Sequence, residues 1–253
     1  MLRGHTLGVV MPAHREEAMV RRAIERVPAE VDAIWVIDDA SPDGTSSEAL
    51  AAGDPRVRLI RFEENRGVGA AIAAGYAAAF AESIDIVCVM AGDGQMDPRD
   101  LPALVAPIVA GEADYVVGDR LAWPAARRAM PLSRFLGNHA LSALSRFVLK
   151  VSVGDSQCGY TALSRESAGR IAFERLWPRY GYPNDLLALA ELAGARIATR
   201  PVRPVYGEEK SGIRLHHALF VVPYVLARAW LRRRLSVRLE ARLPAVPRDA
   251  RER

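Results

Sequence analysis

The sequence predicts an α/β fold with a mainly parallel central sheet and helices on both faces. Two observations lead there. Short apolar runs alternate with helix-length segments from Leu7 to Val109, and these runs end in loops rich in Asp, Gly and Pro. Buried strands joined by crossover helices have this pattern, and such sheets bind ligands beyond the carboxyl ends of their strands. Half of the 253 residues are apolar, enough for one substantial core.

In order, Leu7–Met11 reads as a buried strand stopped by Pro12, and Glu16–Val27 follows with helical spacing. Ala33–Ile37 is a second strand, Ser46–Ala52 a helix, Val57–Phe62 a third strand and Val68–Ala81 an Ala-rich helix. Ile84–Met90 is a fourth strand before a helix over Leu101–Val109. The second half is less regular. It has short strands at Tyr115–Val117, Thr161–Leu163 and Arg196–Thr199, and helices at Phe135–Leu149, Glu166–Ala172, Asp185–Ala193 and His216–Leu235. The expected organisation is one domain of catalytic size over 1–213, whose two halves meet near residue 118. A basic amphipathic segment over 214–243 and a disordered tail over 244–253 follow.

Two cysteines, Cys88 and Cys158, cannot form a disulfide framework, which points to a reducing, cytoplasmic compartment. No leader pattern precedes the first strand, and the uncharged run Leu215–Ala227 contains Pro223 and falls short of the ~20 residues of a spanning helix. Arg228, Arg232, Arg233, Arg234, Arg238 and Arg242 crowd the C-terminal segment, with Leu231, Leu235 and Leu239 at four-residue spacing among them. Without interleaved stacking aromatics, such a stretch fits an anionic membrane surface, here the cytoplasmic face, better than nucleic acid. An ordinary packed helix explains the leucines equally well.

The chemistry gathers at the strand ends. The fourth strand runs into Ala91-Gly92-Asp93-Gly94-Gln95-Met96-Asp97-Pro98, whose hard oxygens suit a divalent metal, or else merely a turn. Strand one ends in Pro12-Ala13-His14-Arg15-Glu16, and strand two in Asp38-Asp39-Ala40-Ser41-Pro42-Asp43-Gly44-Thr45. Successive strands thereby deliver polar groups to one sheet edge, as nucleotide pockets require. Asn65-Arg66-Gly67-Val68-Gly69-Ala70 opens the Ala-rich helix and suits a close approach, to a ligand or to neighbouring structure.

In this order, with Gly118-Asp119-Arg120 and Tyr180-Gly181-Tyr182-Pro183-Asn184-Asp185, these strings resemble the family-2 glycosyltransferases of GT-A (Rossmann-like) fold. They resemble most closely the polyprenyl-phosphate branch, the dolichol-phosphate mannose or glucose synthase-like enzymes. The resemblance implies a nucleotide diphosphate sugar donor, Mg²⁺ or Mn²⁺, and an inverting transfer. It places Pro12, Ala13, Glu16, Asp38, Asp39, Gly67, Asp93 and Lys210 at the nucleotide sugar, and Asp93 and Gln95 on the metal. Ala91 stands where the family pattern has a first carboxylate. Arg120 and Arg134 would anchor an acceptor phosphate beside Asp155, Gln157 and Tyr160, and Asp185 would act near the acceptor or cap its helix. The function implied is transfer of one hexose or N-acetylhexosamine from a UDP- or GDP-sugar to a polyprenyl phosphate at the membrane surface. A soluble sugar or glycan acceptor, or a degenerate nucleotide-sugar-binding protein without catalysis, are the alternatives.

Overall fold

In the computed structural model, residues 1–205 and 217–240 are described, the latter with backbone only at 217–218 and 236–240. Seven strands form one sheet: β1 (Leu7–Ala13), β2 (Ala33–Asp38), β3 (Val57–Arg61), β4 (Ile86–Val89), β5 (Tyr115–Asp119), β6 (Thr161–Ser164) and β7 (Ile197–Pro201). The helices are α1 (Val20–Glu25), α2 (Thr45–Ala51), α3 (Val68–Ala81), α4 (Leu101–Val109), α5 (Ala126–Ala129), α6 (Leu132–Leu149), α7 (Arg165–Ala168), α8 (Tyr182–Leu192) and α9 (Val222–Glu240). A π-helical turn at His217–Val221 leads into α9.

The strand order is β3-β2-β1-β4-β6-β5-β7. Residues of β1, β2, β4 and β5 are buried without alternation, as expected where helices cover both faces. From β1 the chain steps outward through β2 to β3, then returns to place β4 on the other side of β1. The gap between the ends of β1 and β4 is therefore the topological switch point, where open sheets hold ligands. The mainly parallel expectation holds. β6 is the exception, antiparallel to both β4 and β5.

Two boundaries differ from the sequence reading in instructive ways. The first helix begins at Val20, because the chain turns at Arg15 with φ 61° and Glu16 accepts from the N–H groups of Met19 and Val20. The last α-helix is shifted toward the C-terminus of the expected His216–Leu235, running Val222–Glu240, and is fastened to the fold: Val225, Leu226 and Ala229 are buried, and Arg233 donates to the Leu149 carbonyl at 2.6 Å.

Candidate active site

A cavity of about 430 Å³ opens at the switch point. Its lining includes Pro12 and Ala13 from the end of β1, Asp39 from β2, Ala91 and Asp93 after β4, and Glu16. Gly67 and Val68, at the start of α3, close one side, and Trp177, Arg179 and Tyr180, before α8, close another. Six residues expected at the nucleotide sugar thus meet in one place: Pro12, Ala13, Glu16, Asp39, Gly67 and Asp93.

Asp38 does not join them. It is fully buried beneath the loop, accepting from the Ser41 N–H at 2.8 Å and from the Ser46 hydroxyl, so it shapes the turn after β2. Asp39 takes the N–H groups of Arg66 and Gly67 at 2.7 and 2.8 Å, which pins the entry to α3. Its own carbonyl accepts from His14 Nδ1 at 2.8 Å and Asn65 Nδ2 at 3.2 Å. A carbonyl can only accept, so in this contact His14 Nδ1 carries a proton, on a ring that lines the cavity.

The two glycines at the start of α3 serve packing. A Cβ on Gly67 would lie 2.4 Å from the Pro178 carbonyl oxygen, and one on Gly69 2.1 Å from that of Trp177. Gly67 also has φ 95°, a conformation that favours glycine. Pro178 accepts from Gly69 and Ala70 N–H at 2.8 and 3.1 Å, so a neighbouring loop satisfies this helix terminus. The motif Tyr180–Asp185 touched this wall at Tyr180, but nothing in the sequence motifs marked Trp177 or Arg179; the tight glycine pair was the available signal.

Electrostatically the cavity is acidic, with Glu16, Asp39 and Asp93 against Arg179. Burial, with the Asp93 and Glu16 carboxylates nearby, raises the Tyr180 phenol pKa above its ordinary range. A diphosphate brought here meets carboxylates and needs a cation between. Asp93 accepts from the Gln95 N–H at 2.9 Å, a turn that holds its carboxylate at the cavity. Asp97 is committed elsewhere: it is buried, and Arg99 pairs with it at 2.6 Å and holds its pKa below the usual carboxylate value. Among the described residues no group of three or more His, Cys, Asp or Glu could hold a metal. One carboxylate plus substrate phosphates and waters is a donor set that Mg²⁺ accepts, so Asp93 fits a metal that arrives with the diphosphate.

On the acceptor side, Arg120 forks onto buried Asp155 through Nε at 2.7 Å and Nη2 at 3.1 Å, and Asp155 also accepts from the Gln157 N–H at 3.1 Å. These three expected residues form one network. Tyr160 is buried with its hydroxyl donating to the Asp97 carbonyl at 3.2 Å, which makes it a brace under the Asp93 loop. Arg134 lies in the first turn of α6. Lys210 lies outside the described residues. Asp185, expected near the acceptor or as a helix cap, is fully buried, one carboxylate oxygen accepting from the Trp177 N–H and Arg228 and the other from Arg232, each at 2.8 Å. It faces α9, and two of the C-terminal arginines are thereby spent on holding that helix.

Comparison with known proteins now adds to the geometry. Residues 8–171 match the family model described as Glycosyl transferase family 2. The UDP-N-acetylglucosamine–dolichyl-phosphate N-acetylglucosaminyltransferase of Methanococcus voltae is 27% identical over 215 residues, 79% of this chain and 86% of that protein. The polyprenol monophosphomannose synthase of Mycolicibacterium smegmatis is 30% identical over 224 residues, 85% and 84% of the two chains. Among solved structures, glucosyl-3-phosphoglycerate synthase from Mycobacterium tuberculosis in complex with Mn²⁺, UDP and phosphoglyceric acid superposes with TM-score 0.68. That match is 25% identical and covers 90% of this chain and 79% of the other.

Proposed function

The chain belongs to glycosyl transferase family 2 and is a glycosyltransferase, and from that premise we propose that it moves one sugar from a nucleotide diphosphate sugar to a polyprenyl phosphate at a membrane surface. The observation that carries this reading is the acidic cavity at the β1–β4 switch point, where Asp93 faces the nucleotide-side residues. The names of the two relatives supply the acceptor class.

In this reading Pro12, Ala13, Asp39 and Gly67 shape the nucleoside end, while Asp93, with Gln95 beside it, holds Mg²⁺ or Mn²⁺ against the diphosphate. A bound divalent ion would neutralise the charge that builds on the leaving diphosphate. Arg120, fixed by Asp155, and Arg134 anchor the acceptor phosphate; arginine matches a phosphate with two parallel hydrogen bonds. A phosphate monoester has its second pKa at about 6, so the nucleophile is already ionised at neutral pH and no strong general base is needed. Attack from the face opposite the leaving group inverts the anomeric carbon.

A second reading, a soluble phosphorylated acceptor, is favoured by the neighbour crystallised with phosphoglyceric acid. Radiolabelled transfer separates the two: counts should enter an organic-extractable lipid when polyprenyl phosphate is present. Counts confined to a water-soluble phosphate ester would select the second reading. A thermal-shift screen of UDP-, GDP- and TDP-sugars with and without Mn²⁺ should precede it, because a ligand that binds the native state stabilises by mass action. No stabilisation by any nucleotide sugar would refute both.

A further inference from the structure

Strand β7 is clamped at both ends in the same way. Before it, Arg196 puts its own N–H and its guanidinium on the carboxylate of Asp114, at 2.8 to 2.9 Å. After it, Arg203 does the same to Asp100, its N–H donating to one oxygen at 2.6 Å and its guanidinium to the other. Both acids are buried. Only the second clamp stands at the carboxyl ends of the parallel strands, where the cavity opens.

From this clamp the chain leads back toward the loop after β4. The Val202 N–H bonds to the Asp119 carbonyl at 3.1 Å, and Pro204 pairs with Met96, in the loop that carries Asp93. The Arg203 guanidinium also lies 4.9 Å from the centre of the Trp123 ring, and the Trp123 N–H donates to the Arg120 carbonyl at 3.4 Å. One side chain therefore reaches two turns. The first, after β4, carries the carboxylate assigned to the diphosphate; the second, after β5, carries the arginine assigned to the acceptor phosphate. Arginine suits this place because its planar fork takes a carboxylate while its face lies on a ring, and lysine offers only a point charge.

We propose that Arg203, which lies outside the cavity lining, is a positioning residue for transfer: it sets the spacing between the Asp93 turn and the Arg120 turn. This rests on the proposed function. In-line attack is steep in distance, and a displacement of about 1 Å costs on the order of 100-fold in rate. Donor binding makes a smaller demand. Without Arg203 the Gln95 N–H still holds Asp93, and the Tyr160 hydroxyl still holds the Asp97 carbonyl. Binding of the donor, and its hydrolysis by water, need only the β4 side of the cavity, whereas transfer needs both turns in register.

The test is the ratio of sugar transfer to donor hydrolysis. It uses Mn²⁺, radiolabelled UDP-, GDP- and TDP-sugars, and polyprenyl phosphate or phosphoglyceric acid as acceptor. Arg203→Ala should lower the ratio at least about tenfold, with nucleotide affinity by calorimetry within about twofold of wild type. Arg203→Lys, which keeps the charge, should fall between the two. Trp123→Leu leaves the Asp100 pair in place and should lower the ratio as well. Arg196→Ala removes the matching clamp on Asp114 and should lower the melting temperature while the ratio stays at the wild-type value. A wild-type ratio in Arg203→Ala or in Trp123→Leu overturns the proposal. A ratio that falls as far in Arg196→Ala also overturns it, because the effect is then a general loss of stability. Should Arg203→Ala fail to fold, Arg203→Lys and Trp123→Leu decide on the same terms. A wild type that moves sugar to neither acceptor overturns the proposed function, and this inference falls with it.

Discussion

At the scale of single residues, Asp93 lines the cavity and is the carboxylate on which the proposed diphosphate handling rests. Asp93→Asn keeps the acceptor for the Gln95 N–H, so circular dichroism and melting should change little. Loss of a metal-holding charge removes several kcal/mol of transition-state stabilisation, so transfer should fall by at least about 100-fold. The Mn²⁺-dependent part of nucleotide affinity, read by calorimetry, should vanish with it. Gly69→Ala tests the opposite wall. The new methyl would collide with the Trp177 carbonyl, which is backbone and cannot rotate away, so destabilisation of about 1–3 kcal/mol and weaker nucleotide binding are expected from denaturant titration and calorimetry. Asp39 and Asp93 were legible in the sequence because strand ends and turn chemistry point to them directly. Trp177 and Arg179 were not, because no local pattern says that residues more than 80 positions after Asp93 fold back onto the start of α3.

At the scale of elements, α9 is bound to the fold by charge as well as by its buried Val225 and Leu226. Asp185→Ala leaves Arg228 and Arg232 without their carboxylate, and breaking such a buried pair costs about 3–5 kcal/mol. A marked drop in melting temperature and new protease cleavage within α9 are the expected outcomes. A basic C-terminal helix was foreseen, but all of its arginines were read as facing an anionic membrane surface, because sequence spacing cannot show a buried acid on another helix. The parallel strands were legible as apolar runs. The direction of β6 was not, since a four-residue buried strand has no alternation and its sense depends on where α6 returns the chain.

At the scale of the whole molecule, several carboxylates tie loops to the sheet in their ionised form. Arg56 lowers the pKa of Asp54, the Thr6 N–H that of Asp85, Arg99 that of Asp97 and Arg196 that of Asp114. Below the ordinary aspartate value of 3.8 the unfolded chain binds more protons than these native groups do, so their stabilisation is lost as pH falls from that value through the lower native ones. Asp119 works the other way. Burial and the nearby Asp155 raise its pKa, so the native state holds the extra proton just above 3.8 and this group costs stability as pH rises. Asp43 is lowered as well, so five groups stand against one, and urea unfolding midpoints should decline as buffers are taken below about pH 4. The wall at 177–180 also has a consequence for how the enzyme is made. Trp177 shares the Asp185 carboxylate with arginines 228 and 232, so during synthesis the first four strands can assemble while that carboxylate still waits for its partners. A nascent chain halted before residue 228 would carry a folded sheet and an unsupported nucleotide wall. The site is finished only once Arg232 has left the ribosome.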